Sequence, residues 1–147
     1  MSQPTTPATD PTCIFCKIIA GSIPSHRVYE DERVVAFLDV APLAAGHVLV
    51  VPRAHAARLD DLSPADAGAC AAAAARVGAA VVRHGGAAGW NLLQNNGAAA
   101  GQVVMHVHFH VIPRREGDGL GYRWPAGKLD GETAASTAAA IRDLIRG

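Results

Sequence analysis

Three histidines alternate with apolar residues in the segment Met-His-Val-His-Phe-His-Val-Ile, residues 105–112. A period of two is typical of a β-strand, in which successive side chains point to opposite faces. The sequence therefore predicts a strand with an apolar core face and an imidazole face. The core face comprises Met105, Val107, Phe109 and Val111, and the imidazole face comprises His106, His108 and His110. Three imidazoles on one face indicate a functional site rather than isolated core positions.

Imidazoles in this arrangement could bind a metal or act on phosphorus. His106 and His110 lie four residues apart, about 13 Å along a strand, so all three rings cannot meet at one ion. An i, i+2 pair can still chelate. Alternatively, a neutral imidazole nitrogen can attack a phosphorus centre when an acceptor holds its other ring nitrogen. Neighbouring imidazoles and loop N–H groups would then stabilise charge on the phosphoryl oxygens.

Two further features could take part in such chemistry. Cys13 and Cys16 form a C-x-x-C pair, which is compatible with half a zinc site, a redox motif or two buried thiols. A redox motif is the poorest fit, because the pair does not follow a strand. The loop over residues 95–102 is rich in glycine and alanine. It is either a simple hairpin connection or a loop whose N–H groups approach a phosphate closely.

Secondary structure that could position these residues is predicted on both sides of the histidine segment. Four more strands are predicted at 27–30, 34–39, 47–52 and 90–94. A short helix is predicted over 13–19, and a long helix begins at the cap Ser63 and ends at 84–86. A last helix is predicted over about 132–146, with Asp130 as a cap and a packed face of Ala138, Ile141, Leu144 and Ile145.

Composition excludes several classes of protein. The 147 residues suggest a single domain, predicted over 12–147 after a disordered tail at 1–11, with a C-terminal extension from about 114. Thirteen basic residues balance thirteen acidic ones, which argues against nucleic acid or an anionic membrane as a partner. The sequence shows no apolar run near the ~20 residues that cross a bilayer. Three cysteines are too few for a disulfide framework, so a cytoplasmic location is expected.

The motifs together resemble the histidine triad (HIT) family. Residues 106–112 read His-Val-His-Phe-His-Val-Ile, which is similar to the signature of that family. Four further segments match in the same order and at nearly the same spacing, from about residue 13 to 124. They are residues 13–18, Phe37-Leu38-Asp39, residues 46–53, and Asn95-x-Gly97-x-x-x-Gly101-Gln102.

The resemblance implies an α+β fold with a five-stranded antiparallel sheet, a homodimer, and hydrolysis of purine nucleotides at the α-phosphorus. By that resemblance, His108 is the nucleophile, while His110 and His47 flank the phosphate. Asn95 and the N–H groups of Gly101 and Val103 would also contact the phosphate, and Asp39 would bind the ribose hydroxyls. The base pocket would be formed by Ile14, Phe15, Ile18, Phe37, Leu38 and Val40.

Two details of the resemblance refine these expectations. His110 stands where transferase relatives have glutamine, so the chain resembles the hydrolase branch. The cysteine pair resembles bacterial members that carry structural zinc, which implies the ligands Cys13, Cys16, His55 and His106. No organic cofactor is expected. Val103 replaces the serine of the best-known members, so a hydroxyl contact to the phosphate or leaving group would be lost.

The predicted function is therefore hydrolysis of nucleoside 5′-phosphoramidates or related nucleotide derivatives through a nucleotidyl-histidine intermediate. Two alternatives remain open from the sequence. One is hydrolysis of dinucleotide polyphosphates at the same site, which differs only in the leaving group. The other is a zinc-stabilised nucleotide-binding module without significant turnover.

Overall fold

An antiparallel sheet with helices on both faces forms the body of the protein. The computed structural model describes residues 6–121 and 124–147. The helices are α1 (Ile14–Ile19), α2 (Pro64–Gly85) and α3 (Ala134–Arg146), and the strands are β1 (Arg27–Glu30), β2 (Val34–Leu38), β3 (Val48–Pro52), β4 (Gly89–Gln94) and β5 (Phe109–Arg114). The strands lie in the order β1-β2-β3-β5-β4, and each neighbouring pair is antiparallel. This architecture confirms the predicted α+β fold with five strands.

The two faces of the sheet carry different layers. Alternate residues of β2 and β3, such as Ala36 and Val50, pack with α2 in the larger core. The intervening residues, such as Phe37 and Leu49, pack with α1 in a smaller core. His110 pairs with Leu49 across β3 and β5, so its side chain lies on the α1 face. The histidine chemistry therefore belongs to the α1 face, and the long helix supports the sheet from behind.

Helix α2 begins and ends as the sequence predicts. The Ser63 hydroxyl accepts a hydrogen bond from the N–H of Asp66, Pro64 occupies the first turn, and Gly86 ends the helix with φ +62°. By length and composition alone, this helix could cross a membrane, a criterion that core helices of water-soluble proteins also meet. Cys70 and Val77 are buried against the sheet, whereas much of the alanine-rich opposite side is exposed.

The predicted strand over residues 105–112 is wrong at its start. β5 begins only at Phe109, which pairs with both Val50 and Gln94. Before it, the N–H of Val107 donates to the carbonyl of Ala56, so this stretch is held by a loop rather than by the sheet. Val107 is still buried in the α2 core, but Met105 is 44% exposed and does not join it. From residue 106 onward, successive side chains still point to alternate faces, although residues 106–108 are not hydrogen-bonded into the sheet.

The predicted packing of the last helix is also wrong. Helix α3 forms at the expected place, but it has no buried residue. The four residues expected to pack are all exposed: Ala138, Ile141, Leu144 and Ile145. Thr133, not Asp130, is the cap residue, and the Asp130 carboxylate instead accepts a bond from the N–H of Glu132. The sequence predicts the helix correctly. Burial of its apolar side would require a packing surface, and the described chain places none against α3.

The amino-terminal segment enters the fold earlier than residue 12. Residues 1–5 of the predicted tail lie outside the described part of the chain. The carbonyl of Ala8 accepts a 2.7 Å hydrogen bond from the N–H of His55. The N–H of Asp10 donates to the sulfur of Cys16 at 3.4 Å. The ordered body therefore includes an arm formed by residues 8–10, which packs beside the cysteine pair.

Candidate active site and metal centre

His108 is held by its own main chain. Its Nδ1 lies 2.7 Å from the carbonyl oxygen of His106. A carbonyl oxygen can only accept, so Nδ1 carries the proton and donates, and the lone pair of the neutral ring resides on Nε2. The Phe15 ring packs edge-on against the imidazole, with centroids 5.1 Å apart. His108 is 6% exposed, so it is fixed in one orientation with a basic Nε2, as a nucleophile requires.

His47 and His110 form a second, directional pair. The N–H of Leu43 donates to Nδ1 of His47 at 3.0 Å, so in the neutral ring Nε2 bears the proton. That Nε2 lies 3.0 Å from Nδ1 of His110, which therefore accepts. His110 in turn carries its proton on Nε2. Beside the pair, Asp39 approaches Nε2 of His47 at 3.5 Å. The result is a chain of donors that starts at a main-chain N–H and ends at Nε2 of His110.

The electrostatics keep this pair neutral. Burial lowers the pKa of His47, and the Asp39 carboxylate only partly offsets this. Burial, followed by the nearby His108 and His47 rings, lowers the pKa of His110 to about 4. At neutral pH, His110 therefore presents an uncharged N–H donor. Asp39, His47 and His110 also lie close enough to hold a metal, but the proton on Nε2 of His47 occupies the nitrogen that would ligate it.

Cys13, Cys16, His55 and His106 converge as the resemblance implies. Their ligand atoms all lie within 4.8 Å of one another. Nδ1 of His106 is 3.5 Å from the sulfur of Cys13 and 3.6 Å from that of Cys16, and it is 3.2 Å from Nδ1 of His55. Tetrahedral zinc with ordinary bond lengths separates sulfur from nitrogen by about 3.5 Å and nitrogen from nitrogen by about 3.3 Å. The four side chains therefore fit a zinc ion.

Protonation at this cluster is also compatible with a metal. Nε2 of His106 donates to the carbonyl of Pro52 at 2.9 Å, which leaves the Nδ1 lone pair directed at the cysteines. Burial lowers the pKa of His106 to about 4, so the ring is neutral. Burial raises the pKa of Cys16, and a bound cation would reverse that preference in favour of the thiolate.

The loop before the histidines is folded around a buried glutamine. Gln102 is 3% exposed; its Oε1 accepts from the N–H of Gly97, and its Nε2 donates to the carbonyls of Ala57 and Val104. Gly97 and Gly101 have φ of +90° and +88°, which favours glycine at both positions. These contacts fix the loop relative to the segment that begins at His106.

The residues predicted to contact the phosphate, Asn95, Gly101 and Val103, lie on or beside this loop. A Cβ on Gly101 would lie 3.7 Å from the amide nitrogen of Asn95, so the two positions adjoin. The N–H of Gly101, however, donates to the carbonyl of Ala98 at 3.0 Å. That bond would have to open before Gly101 could bind a phosphate, whereas Val103 is 87% exposed at the end of the loop. Of the three predicted contacts, Gly101 is thus the one whose N–H is already engaged within the loop.

The residues of the predicted base pocket differ in position and exposure. Phe15, Ile18 and Phe37 are buried together on the α1 face, near His108. Ile14 and Val40 are exposed, at 46% and 98%. Leu38 lines a hollow with α2 residues, on the face opposite the histidines. The α1 side thus supplies an apolar wall beside His108, and Leu38 is the member whose position is hardest to reconcile with that pocket.

Several contributing residues were missed by the sequence reasoning. The main-chain groups of Leu43 and Pro52 select histidine tautomers, but main-chain roles leave no signature in residue type. Gln102 belongs to a recognised motif, and its position before a histidine signature could have suggested a supporting role. Asp10 lay in the segment expected to be disordered.

Comparison with known proteins agrees with this geometry. A family model described as the HIT domain matches residues 20–117. The adenosine 5′-monophosphoramidase hnt1 of Schizosaccharomyces pombe is 40% identical over 136 residues, which cover 92% of this chain and 99% of that protein. The crystal structure of SMU.412c from Streptococcus mutans aligns with a TM-score of 0.89 at 34% identity, covering 99% of this chain and 91% of that one.

A second solved structure bears on the cysteine and histidine cluster. It is a Zn-bound histidine triad family protein from Mycobacterium smegmatis, with a TM-score of 0.72 and 38% identity, covering 92% of this chain and 96% of that one. The fold and the triad thus define a histidine triad protein. Because the domain match spans well over half of its length, this chain belongs to the HIT family.

Proposed function

We propose that this protein hydrolyses nucleoside 5′-phosphoramidates, or closely related nucleotide derivatives, at the α-phosphorus. The observation that carries the proposal is the bond from Nδ1 of His108 to the carbonyl of His106, which leaves Nε2 as a free base. The similarity to a relative named as an adenosine 5′-monophosphoramidase supports the same substrate class.

The reaction proceeds in two displacements at phosphorus. Nε2 of His108 attacks the α-phosphorus, a nitrogen–phosphorus bond forms, and the bond to the leaving amine breaks as the amine takes a proton from solvent, which the water of the second step replaces. Water then attacks the nucleotidyl-histidine, which releases the nucleoside monophosphate and restores the neutral ring. The Nε2–H of His110, oriented by His47, donates to a phosphoryl oxygen as charge develops there. Asn95 and the N–H of Val103 would contact the remaining oxygens.

Substrate positioning follows from the surroundings of the triad. Asp39 accepts from the N–H of Ala41 through one oxygen and lies near His47 through the other, with its side chain 15% exposed. We assign this carboxylate to the ribose hydroxyls of a purine nucleotide, with the base against Phe15 and its neighbours on the α1 side. Val103 offers a main-chain N–H and no hydroxyl, so the leaving group is contacted without a side-chain donor there.

Replacing the nucleophile tests the reaction. His108→Ala should lower kcat/KM for adenosine phosphoramidate by at least about 10³-fold, because a covalent catalyst cannot be replaced by its neighbours. His26→Ala, which removes an exposed histidine outside the site, should match the wild type. Product formation would be followed by chromatographic separation of AMP from adenosine phosphoramidate. Equal turnover by wild type and His108→Ala would end the proposal, and tight nucleotide binding without product would favour a binding module.

We also propose that Cys13, Cys16, His55 and His106 hold a structural zinc ion. Four protein ligands leave no open position, which is the arrangement of a structural rather than a catalytic zinc. The metal would tie α1 and the chain entry to the segment before β5. Its role is confined to holding that junction, and one of its ligands, His106, also offers the carbonyl that accepts from Nδ1 of His108.

Metal content tests this site directly. Wild-type protein purified without added metal should contain close to one zinc per chain by elemental analysis. The double variant Cys13→Ser, Cys16→Ser should lose the zinc and unfold at a lower temperature, because the free energy of metal binding contributes to folding. Cys70→Ala is the matched control for zinc content, since Cys70 lies on α2 and is buried in the larger core, away from the cluster. Zinc that persists in the double variant would reject the site.

We propose that the protein is a cytoplasmic homodimer. β4 lies at an edge of the sheet and exposes Leu92 at 46%. The apolar side of α3 exposes Leu144 and Ile145 at 81% and 79%, a cost that a second copy would remove. Cys13, Cys16 and Cys70 form no disulfide in the described part of the chain, which suits a reducing compartment.

Sedimentation velocity measures the assembly. At micromolar concentration, the wild type should sediment as one species of twice the 15.2 kDa chain mass. A charged substitution on the exposed edge, Leu92→Lys, should shift the equilibrium toward the single chain, with Leu129→Lys as a control at another exposed leucine. A wild type that sediments at 15.2 kDa under these conditions would contradict the dimer.

A further inference from the structure

The arm formed by residues 8–10 touches the metal-binding cluster at three points. The carbonyl of Ala8 accepts from the N–H of His55 at 2.7 Å. The N–H of Asp10 points at the sulfur of Cys16 at 3.4 Å. The carboxylate of Asp10 lies 3.9 Å from Nε2 of His55, which is within ion-pair distance but longer than a hydrogen bond. Two of the four ligands are therefore in contact with the same residue.

The protonation of His55 makes the carboxylate contact directional. Nδ1 of His55 faces the cluster, 3.5 Å from the sulfur of Cys16 and 3.2 Å from Nδ1 of His106. A histidine that ligates through Nδ1 carries its proton on Nε2. Nε2 of His55 then faces the Asp10 carboxylate across 3.9 Å, whereas Nε2–H of His106 donates to the carbonyl of Pro52 at 2.9 Å. Metal-bound histidines usually need such an acceptor, which fixes the ring and strengthens the ligand.

Asp10 is itself held in place by local bonds. One carboxylate oxygen accepts from both the N–H and the hydroxyl of Thr12, at 2.8 and 2.7 Å. Its carbonyl accepts from the N–H of Cys13, the cap residue of α1. The remaining oxygen is the one that approaches His55. The residue is thus anchored on the ligand-bearing turn and leaves one oxygen for the imidazole.

We propose that Asp10 is a positioning residue of the metal centre: its carboxylate orients His55, and its N–H donates to the Cys16 thiolate. The inference rests on the proposed zinc site and extends it to a residue that does not ligate. The arm then stabilises the cluster and is not a disordered tail, because its removal would take away contacts of both the Cys16 thiolate and the His55 imidazole. An N–H bond to a thiolate stabilises the charged, metal-binding form of the sulfur.

The test compares three full-length proteins: wild type, Asp10→Asn, and Glu116→Gln as a charge-matched control at an exposed site. Asparagine keeps the acceptor for Thr12 and the main-chain N–H, but it loses the negative charge that favours His55. Zinc affinity would be measured at one pH by competition with a chromogenic chelator. We expect Asp10→Asn to bind zinc about 10-fold more weakly, and Glu116→Gln to match the wild type.

A second readout separates orientation from general stability. In the cobalt-substituted protein, the Nε2–H protons of His55 and His106 give shifted NMR signals that exchange with solvent. Asp10→Asn should speed exchange of the His55 proton and leave that of His106, which is bonded to Pro52, unchanged. An Asp10→Asn variant with wild-type affinity and wild-type exchange would overturn the inference alone. A wild type that binds no zinc would overturn the zinc site, and this inference with it.

Discussion

Two main-chain carbonyl oxygens decide what the three histidines can do. The carbonyl of Pro52 accepts a hydrogen bond from Nε2–H of His106, and the carbonyl of His106 accepts one from Nδ1–H of His108. Opposite ring nitrogens are therefore left basic on histidines two residues apart. His106 directs its lone pair at the cysteines, while the lone pair of His108 is available at Nε2 for the attack on phosphorus that we propose. If either carbonyl were lost, the imidazole bonded to it could flip. His106 and His108 would then no longer differ in which ring nitrogen is basic.

The rest of the fold holds those acceptors in position. β3 ends at Pro52, and the segment before β5 is tied to the loop at Ala56 and to Gln102 rather than to a strand. The metal-binding cluster fixes the same segment from its other side. Helix α2 packs on the sheet face opposite the histidines, so its contribution to the site is to make the sheet rigid. Because buried His47 and half-buried His110 stay neutral, the site offers directed N–H donors instead of positive charge, which suits a substrate with a single phosphate.

Much of the fold and of the candidate site could be predicted from the sequence, because both follow from the spacing of residue types. Alternation placed the strands, Ser63 and Gly86 bounded α2, and the motifs brought Cys13, Cys16, His55 and His106 together. Local patterns could not show where pairing stops, so the strand was started at residue 105 instead of at Phe109. An apolar stripe on α3 predicts burial only if a surface meets it, and the described chain provides none. The tautomers depend on main-chain atoms, which every residue type shares.

The most direct test is the protonation of the adjacent histidines in the zinc-loaded protein at neutral pH. Nitrogen-15 NMR of histidine-labelled protein distinguishes protonated from bare ring nitrogens through their chemical shifts and ring-proton couplings. The account predicts a proton on Nε2 of His106 and on Nδ1 of His108, with Nε2 of His108 bare. A neutral His108 protonated at Nε2 would contradict it, because the nitrogen assigned to attack would then have no lone pair to offer.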